Sequence, residues 1–221
     1  TNCIMKKIIL LLILILLCHP AGIQAQSVHP LQVKEIPAWV ANAFTVAQKQ
    51  SEAMYKEVMK DNLLPRSIQR GMVPQTDWTA GFFPGTLWYL YTYNHKEVWK
   101  KRAQAATALM EGEQNNAFDH DIGFKMYSCY GNGYLLTGDK AYRHILFRSA
   151  KTLASRYSYK TGLIMSWEPD ESRDWLFPVI IDNMINLELL MEAYKMSGDT
   201  TLRHIAISHA DKTMKYHYRK D

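Results

Sequence analysis

The chain carries one pattern twice, TGDKAYRHILFRSA at residues 137–150 and SGDTTLRHIAISHA at residues 197–210. In each copy a glycine precedes an aspartate, and the apolar residues that follow recur at helical rather than alternating spacing. Glycine commonly ends a helix, and aspartate commonly caps the start of the next one. The pattern therefore predicts a tight turn between two helices that recurs after about 60 residues.

Further helical segments surround these turns. Strongly apolar helices are predicted over residues 82–93, 123–136 and 178–196, and an amphipathic helix over residues 39–60. A weaker third copy of the helix that follows the turn starts at His95. A helix that is apolar on all sides lies inside a fold, whereas an amphipathic helix covers it. We therefore predict an all-α chain of seven helices without strands, arranged as about three hairpins of a helical toroid or solenoid.

Three aspartates recur with this arrangement. Asp77, Asp121 and Asp182 each precede the second helix of a hairpin by 17 or 18 residues. That spacing predicts three carboxylates at the same end of three successive hairpins, which a ring of hairpins would gather around one cleft. Such a cleft could hold acid/base chemistry.

Asp182 is the sharpest of the three candidates, because it interrupts the apolar stretch FPVIIDNMI at residues 177–185. Burial among such neighbours favours the protonated carboxyl that a general acid needs, and Pro178 suits the first turn of a helix. The alternative is a first-turn aspartate favoured by the helix dipole. Asp121 has a comparable alternative as an N-cap.

Two tryptophans and a histidine accompany these carboxylates. Trp78 and Trp167 are each flanked by small or polar residues, which suits a ring face offered to a sugar, although tryptophan is also common in cores. His120 directly precedes Asp121 and could orient a substrate carboxylate or simply pair with its neighbour. No set of histidines, cysteines and aspartates has metal-ligand spacing, so we expect no bound metal.

The first 25 residues have the composition of a secretory signal peptide. Two lysines precede an apolar run that is too short to span a bilayer, and Ala25 suits the cleavage site. We expect residues 26–221 to be the N-terminal part of a single, truncated domain and the protein to be periplasmic, without a membrane anchor after cleavage. Cys18 offers a weaker lipoprotein alternative, and Met5 is a plausible initiator.

Charge and cysteine content exclude other classes. Removing the two leader lysines reduces the formal net charge from +5 to +3, which is too mild to indicate a nucleic-acid partner. Only Cys129 remains after the leader, so an intrachain disulfide is impossible, and its apolar surroundings favour a buried thiol over a nucleophile. Gly131 and Gly133 lack the preceding strand of a nucleotide loop and are interpreted as helix-packing glycines.

Several stretches occur together in one order. They are DWTAGFFPG at residues 77–85, HDIGF at 120–124, Ser166-Trp167, PVIIDNM at 178–184 and HADKT at 209–213. In these stretches the chain resembles the unsaturated glucuronyl hydrolases of glycoside hydrolase family 88. The resemblance implies an (α/α)6 barrel, of which this chain would hold about the N-terminal half, and it implies no cofactor.

Members of that family act on oligosaccharides left by polysaccharide lyases, which carry a 4,5-unsaturated uronic acid at the non-reducing end. They hydrate the C4=C5 double bond, and the resulting hemiketal opens and releases the remaining sugar. By resemblance, Asp182 protonates C4 and takes a proton from the water that adds at C5, while Asp121 assists.

The resemblance also assigns substrate-binding residues. Trp78 and Trp167 would stack on sugar rings, His120 would contact the uronate, and Asp77 and Asn183 belong to the same group of positions. Further substrate contacts of the family lie after residue 221, so we expect this piece alone to be inactive or poorly folded, with apolar surface exposed.

Two alternatives stay open. An unsaturated rhamnogalacturonyl hydrolase acting on pectin fragments would share the barrel and the chemistry, although the HDIGF stretch favours the glucuronyl enzymes. A non-catalytic helical-repeat protein that binds carbohydrate would use the three aspartates only as helix caps. The sequence does not indicate the oligomeric state or the source polysaccharide.

Overall fold

A long amphipathic helix, α1 (Ala38–Asp61), comes first in the part of the chain that the structure, a computed structural model, describes, which is residues 36–219. The predicted leader, residues 1–25, lies outside the described residues. No helix within residues 36–219 is long and apolar enough to cross a membrane.

Three helical hairpins follow α1 and confirm the predicted repeat. The first pairs α2 (Phe82–Asn94) with α3 (Glu97–Ala108), and the third pairs α7 (Leu187–Ser197) with α8 (Thr200–Tyr216). The first arm of the second hairpin is α4 (Ile122–Met126), a π-helical turn (Tyr127–Gly131) and α5 (Asn132–Thr137), and its second arm is α6 (Lys140–Ala154).

The turns of the hairpins follow the predicted chemistry in two cases out of three. Gly138 and Gly198 end their helices in the left-handed conformation, with φ of 67° and 76°, which glycine adopts without steric cost. The carboxylates of Asp139 and Asp199 then accept capping hydrogen bonds from the second residue of α6 and of α8. In the first hairpin His95 is itself left-handed and α3 begins at Glu97, so the predicted start at His95 was wrong.

The prediction of a chain without strands was also wrong. Two short antiparallel hairpins connect the helices: β1 (Leu64–Ser67) with β2 (Gly71–Val73), and β3 (Tyr157–Ser158) with β4 (Leu163–Ile164). Short strands of two to four residues carry too few positions to show an alternating pattern. Single helical turns of 3₁₀ type cover Glu111–Asn115, Glu171–Arg173 and Ile181–Asn186.

The helix predicted from Pro178 starts later and in a different form. Residues 178–180 are extended, because Ser166 binds this segment on both sides. The Ser166 N–H donates to Pro178 O at 2.8 Å, and the Ile180 N–H donates to Ser166 Oγ at 3.0 Å. A 3₁₀ turn over Ile181–Asn186 then leads into α7.

The core lies between the paired helices and is tied by a few buried polar contacts. Trp88 is fully buried in α2 and donates from Nε1 to Thr107 Oγ1 of α3 at 3.0 Å. Lys125 of α4, also fully buried, pairs with Glu113 at 2.7 Å. Cys129 is buried, as predicted, and burial raises the pKa of its thiol to about 12.

Glycines set how closely the hairpins approach one another. A Cβ on Gly133 would meet the Tyr142 ring and Trp88, which confirms the interpretation of this residue as a packing glycine. Gly81, directly before α2, faces the backbone of Lys125 in α4. A Cβ at Gly81 would lie 2.8 Å from the carbonyl carbon of Lys125, and backbone cannot move aside as a flexible side chain can.

We expect Gly81→Ala to lower the free energy of unfolding by about 2–3 kcal/mol, because the added methyl group overpacks the contact between α2 and α4. Gly112→Ala is the matched control, since a Cβ there meets nothing within 4 Å. Urea unfolding of both variants measures the difference. Equal stability of the two variants would contradict the close approach.

Candidate active site

A cavity of about 350 Å³ opens where the chain enters the first helix of each hairpin. Its walls come from the segment before α2, the start of α4, the loop after β4 and the 3₁₀ turn before α7. The lining residues are Trp78, Phe82, His120, Asp121, Phe124, Trp167, Ile180, Asp182 and Ile185. Five of the seven predicted site residues are therefore together in one cavity, and Asp77 and Asn183 are not among its walls.

His120 lies between the two aspartates of the cavity. Its Nε2 is 3.2 Å from Asp121 Oδ1 and 3.7 Å from Asp182 Oδ1, and its side chain is only 2% exposed. The backbone N–H of His120 donates to the backbone carbonyl oxygen of Ser166 at 2.9 Å, which holds the residue in place. Burial lowers the pKa of His120, although the negative charge of Asp182 opposes that shift. His120 thus pairs with Asp121, one of its two predicted roles, and the same ring nitrogen also approaches Asp182.

Asp121 is the buried carboxylate of the pair. Its side chain is 18% exposed. Burial, followed by the negative charges of Asp119 and Asp182, raises its pKa to about 7, while Lys125 opposes the shift. It occupies the N-cap position of α4, but its side chain makes no capping hydrogen bond. The capping alternative therefore does not account for Asp121.

Asp182 lies at the mouth of the cavity, with 55% of its side chain exposed. The expectation that its apolar neighbours would bury it was wrong. The 3₁₀ turn that replaces the predicted helix leaves Ile181 and Ile185 exposed as well. The site therefore combines one carboxylate in water with one that is largely shielded from it.

Known proteins match this chain in both sequence and fold. No protein-family model matches the chain. The unsaturated glucuronyl hydrolase of Formosa agariphila is 44% identical over 162 residues, which cover 72% of this chain and 40% of that protein. The crystal structure of an unsaturated glucuronyl hydrolase specific for heparin matches with a TM-score of 0.72 at 37% identity, covering 81% of this chain and 50% of the other.

The chain belongs to the unsaturated glucuronyl hydrolase family.

Solved members of this family are (α/α)6 barrels, and the predicted fold class is confirmed by their match to this chain. A variant of the Streptococcus agalactiae enzyme, solved in complex with dGlcA-GalNAc6S, matches with a TM-score of 0.62 at 26% identity and covers 77% of this chain. The chain spans 40% of the length of the Formosa agariphila protein. Within residues 36–219 no cluster of three or more histidine, cysteine, aspartate or glutamate residues could hold a metal ion.

In this member of the family Asp77 is occupied by protein contacts. One carboxylate oxygen pairs with Arg66 of β1, and the other accepts from the N–H and the hydroxyl of Thr79 at 2.9 and 2.7 Å. Burial raises the pKa of Asp77, but the Thr79 hydrogen bonds and the Arg66 charge outweigh it and hold the pKa below its usual value. Asp77 is therefore arranged to anchor Arg66.

Arg66 was not among the predicted site residues. Its guanidinium lies 5.6 Å from the centroid of the Trp78 ring, a cation–π distance. Trp78 itself is 44% exposed in the cavity wall and meets Phe82 and Phe124 edge-on. A residue of a short strand 12 positions before Trp78 leaves no periodic signal in the sequence, so only the fold places Arg66 beside the ring.

Asn183 is fully buried behind the cavity. Its Nδ2 donates to Ile164 O at 2.8 Å, and its Oδ1 accepts from Asn186 at 3.4 Å. Asn186 in turn accepts the N–H of Phe124 at 2.9 Å. The structure thus places Asn183 where it supports the turn that carries Asp182.

We expect Asp121 to make stability fall as pH rises. Its folded pKa of about 7 lies above the ordinary 3.8, so the folded protein keeps a proton that the unfolded chain has released between these values. The free energy of unfolding should fall by up to roughly 4 kcal/mol across this window. The asparagine of Asp121→Asn cannot ionise, so the free energy of unfolding of this variant should lack this fall.

Urea unfolding from about pH 4 to about pH 8 measures the difference between wild type and Asp121→Asn. Asp139→Asn serves as the control, because asparagine is an equally good N-cap and the site is untouched. Parallel pH curves for wild type and Asp121→Asn would show that Asp121 ionises normally in the folded protein.

Proposed function

We propose that the complete protein hydrates the C4=C5 double bond of an unsaturated glucuronic acid at the non-reducing end of glycosaminoglycan-type oligosaccharides. The single observation that carries this proposal is the pair of unequally buried carboxylates, Asp121 and Asp182, on either side of His120 Nε2 in one tryptophan-walled cavity. The related unsaturated glucuronyl hydrolases, one of them specific for heparin and another solved in complex with dGlcA-GalNAc6S, support the same substrate class.

The first step is protonation of an enol ether. Asp182 at the cavity mouth delivers its proton to C4, the π electrons form the new C4–H bond, and C5 becomes an oxocarbenium ion that shares its charge with the ring oxygen. Substrate that covers the mouth excludes water from Asp182, which favours the protonated form needed for this step. The negative charge that remains lies close to the cation and stabilises it.

The second step adds water. A water molecule attacks C5 and gives its proton to the Asp182 carboxylate, which restores the acid and leaves a hemiketal. The hemiketal opens and the remaining sugar is released. With its pKa raised to about 7, Asp121 is partly protonated near neutral pH, and in that form it can donate a hydrogen bond within the site. His120 Nε2 lies near both carboxyl groups.

Binding is assigned to the aromatic walls. Trp78, before α2, and Trp167, in the loop after β4, both line the cavity, and each offers ring surface to a sugar. His120 lies edge-on to Trp167 with ring centroids 6.3 Å apart. We therefore assign the tryptophans to stacking and His120 to the charged end of the uronate.

We expect Asp182→Asn to abolish turnover, with a loss of at least about a thousandfold in kcat, because the amide can neither donate the proton nor accept it back. Asp121→Asn should lower kcat by about tenfold to a hundredfold, because it removes a group that only assists. The assay follows the disappearance of the ultraviolet absorbance of the unsaturated uronide, with the complete reading frame that contains this chain and an unsaturated chondroitin disaccharide.

Asp139→Asn, which keeps its helix cap far from the cavity, should turn over at the wild-type rate. Loss of absorbance with unsaturated pectin disaccharides alone would identify the protein as an unsaturated rhamnogalacturonyl hydrolase. A wild type that binds unsaturated uronides without consuming them would support the non-catalytic carbohydrate-binding alternative.

Arg66→Ala should raise KM about threefold to tenfold and change kcat less than twofold, because it loosens a stacking wall that contributes equally to substrate and transition state. Arg70→Ala, in the tip of the same β1–β2 hairpin, is the matched control. A fall in kcat at unchanged KM would assign Arg66 to the chemical step instead.

A further inference from the structure

His209 of α8 is fully buried, and the mechanism above does not use it. Its Nδ1 accepts the backbone N–H of Ile164 at 3.0 Å. Because Nδ1 supplies a lone pair, the proton of the neutral ring is on Nε2. That Nε2 is buried and has no hydrogen-bond partner among residues 36–219. The ring therefore acts as a hydrogen-bond acceptor toward β4, directly before the loop that lines the cavity.

The neutral form is the stable one inside the fold. Burial, followed by the positive charges of His120 and His217, lowers the pKa of His209 to about 4. Near neutral pH the imidazole therefore keeps the lone pair that Ile164 requires.

Ile164 connects His209 to the catalytic turn. Its N–H goes to His209, and its C=O accepts from Asn183 Nδ2 at 2.8 Å. Asn183 adjoins Asp182 and contacts Asn186, whose Oδ1 accepts the N–H of Phe124 at 2.9 Å. The contacts thus run without interruption from α8, through the turn that carries Asp182, to the helix that begins after Asp121.

We propose that His209 is a positioning residue that fixes Asp182 relative to Asp121 by holding Ile164 and, through it, Asn183. The four residues of this connection, His209, Ile164, Asn183 and Asn186, are buried, so water cannot replace a hydrogen bond that is removed. Ser166 holds residues 178–180 before the turn, and four of the six residues of the turn are exposed, so this buried connection restrains the turn from its inner side. The proposal rests on the proposed function for its kinetic test.

The test compares His209→Leu with His209→Asn. Leucine removes the acceptor, whereas the asparagine amide oxygen can replace Nδ1 and accept from Ile164. We expect His209→Leu to lower kcat about tenfold to a hundredfold at nearly unchanged KM, because misplacing a catalytic group by about 1 Å costs up to that much. His209→Asn should recover most of the loss.

Thr107→Val is the matched control, because it also removes a buried hydrogen bond, to Trp88 Nε1, but far from the cavity. Rates are compared per folded protein after urea unfolding of each variant. If His209→Leu does not fold, His209→Gln replaces it, since its amide lies one carbon farther out. A kcat no lower than that of Thr107→Val, or no recovery in His209→Asn, would overturn the proposal.

Hydrogen exchange separates this proposal from the proposed function. Faster exchange at Ile164 and over residues 181–186 in His209→Leu, restored in His209→Asn, supports positioning even if the wild type hydrates no unsaturated uronide. Unchanged exchange there in a folded His209→Leu overturns positioning whatever the activity.

Discussion

The approach of Asn186 to Gly123 is the contact on which the site depends. A Cβ on Gly123 would lie 2.7 Å from Asn186 Cα, so only glycine allows the second and third hairpins to come this close. At that separation Asn186 Oδ1 reaches the N–H of Phe124 and satisfies a buried donor at the start of α4. Because an unmet buried donor is costly, the two hairpins are fixed in one register.

That register determines the character of the two carboxylates. Asp121 directly precedes the helix that Asn186 holds and lines the cavity, where burial and neighbouring negative charge raise its pKa to about 7. Asp182 is on the turn that leads to Asn186 and stays at the mouth, in water. Two identical side chains therefore differ in solvent exposure for reasons of position alone, and burial raises the pKa of Asp121, an arrangement that suits acid/base chemistry on a sugar.

Support for the site comes from segments that carry no chemistry themselves. The β1–β2 hairpin brings Arg66 to Asp77 and Trp78, and the loop after β4 brings Ser166 to His120. Both segments are short and irregular, and both are held by hydrogen bonds or ion pairs to residues of the site. The helices form the rigid part of the site, while these connections fix the positions of its side chains.

Local sequence determined the helical hairpins of this protein, including the glycine and aspartate turns at Gly138-Asp139 and Gly198-Asp199, because helix periodicity, capping and left-handed glycine act within a few residues. It also carried the stretches in which the family resemblance and five residues of the cavity were found. Tertiary structure alone decided that Asp121 is buried and Asp182 exposed, that Arg66 lies over Trp78, and that His209 reaches Ile164. Those features depend on solvent exposure and on contacts between separate elements, such as that between Ile164 and His209, which are 45 positions apart. No local pattern encodes either.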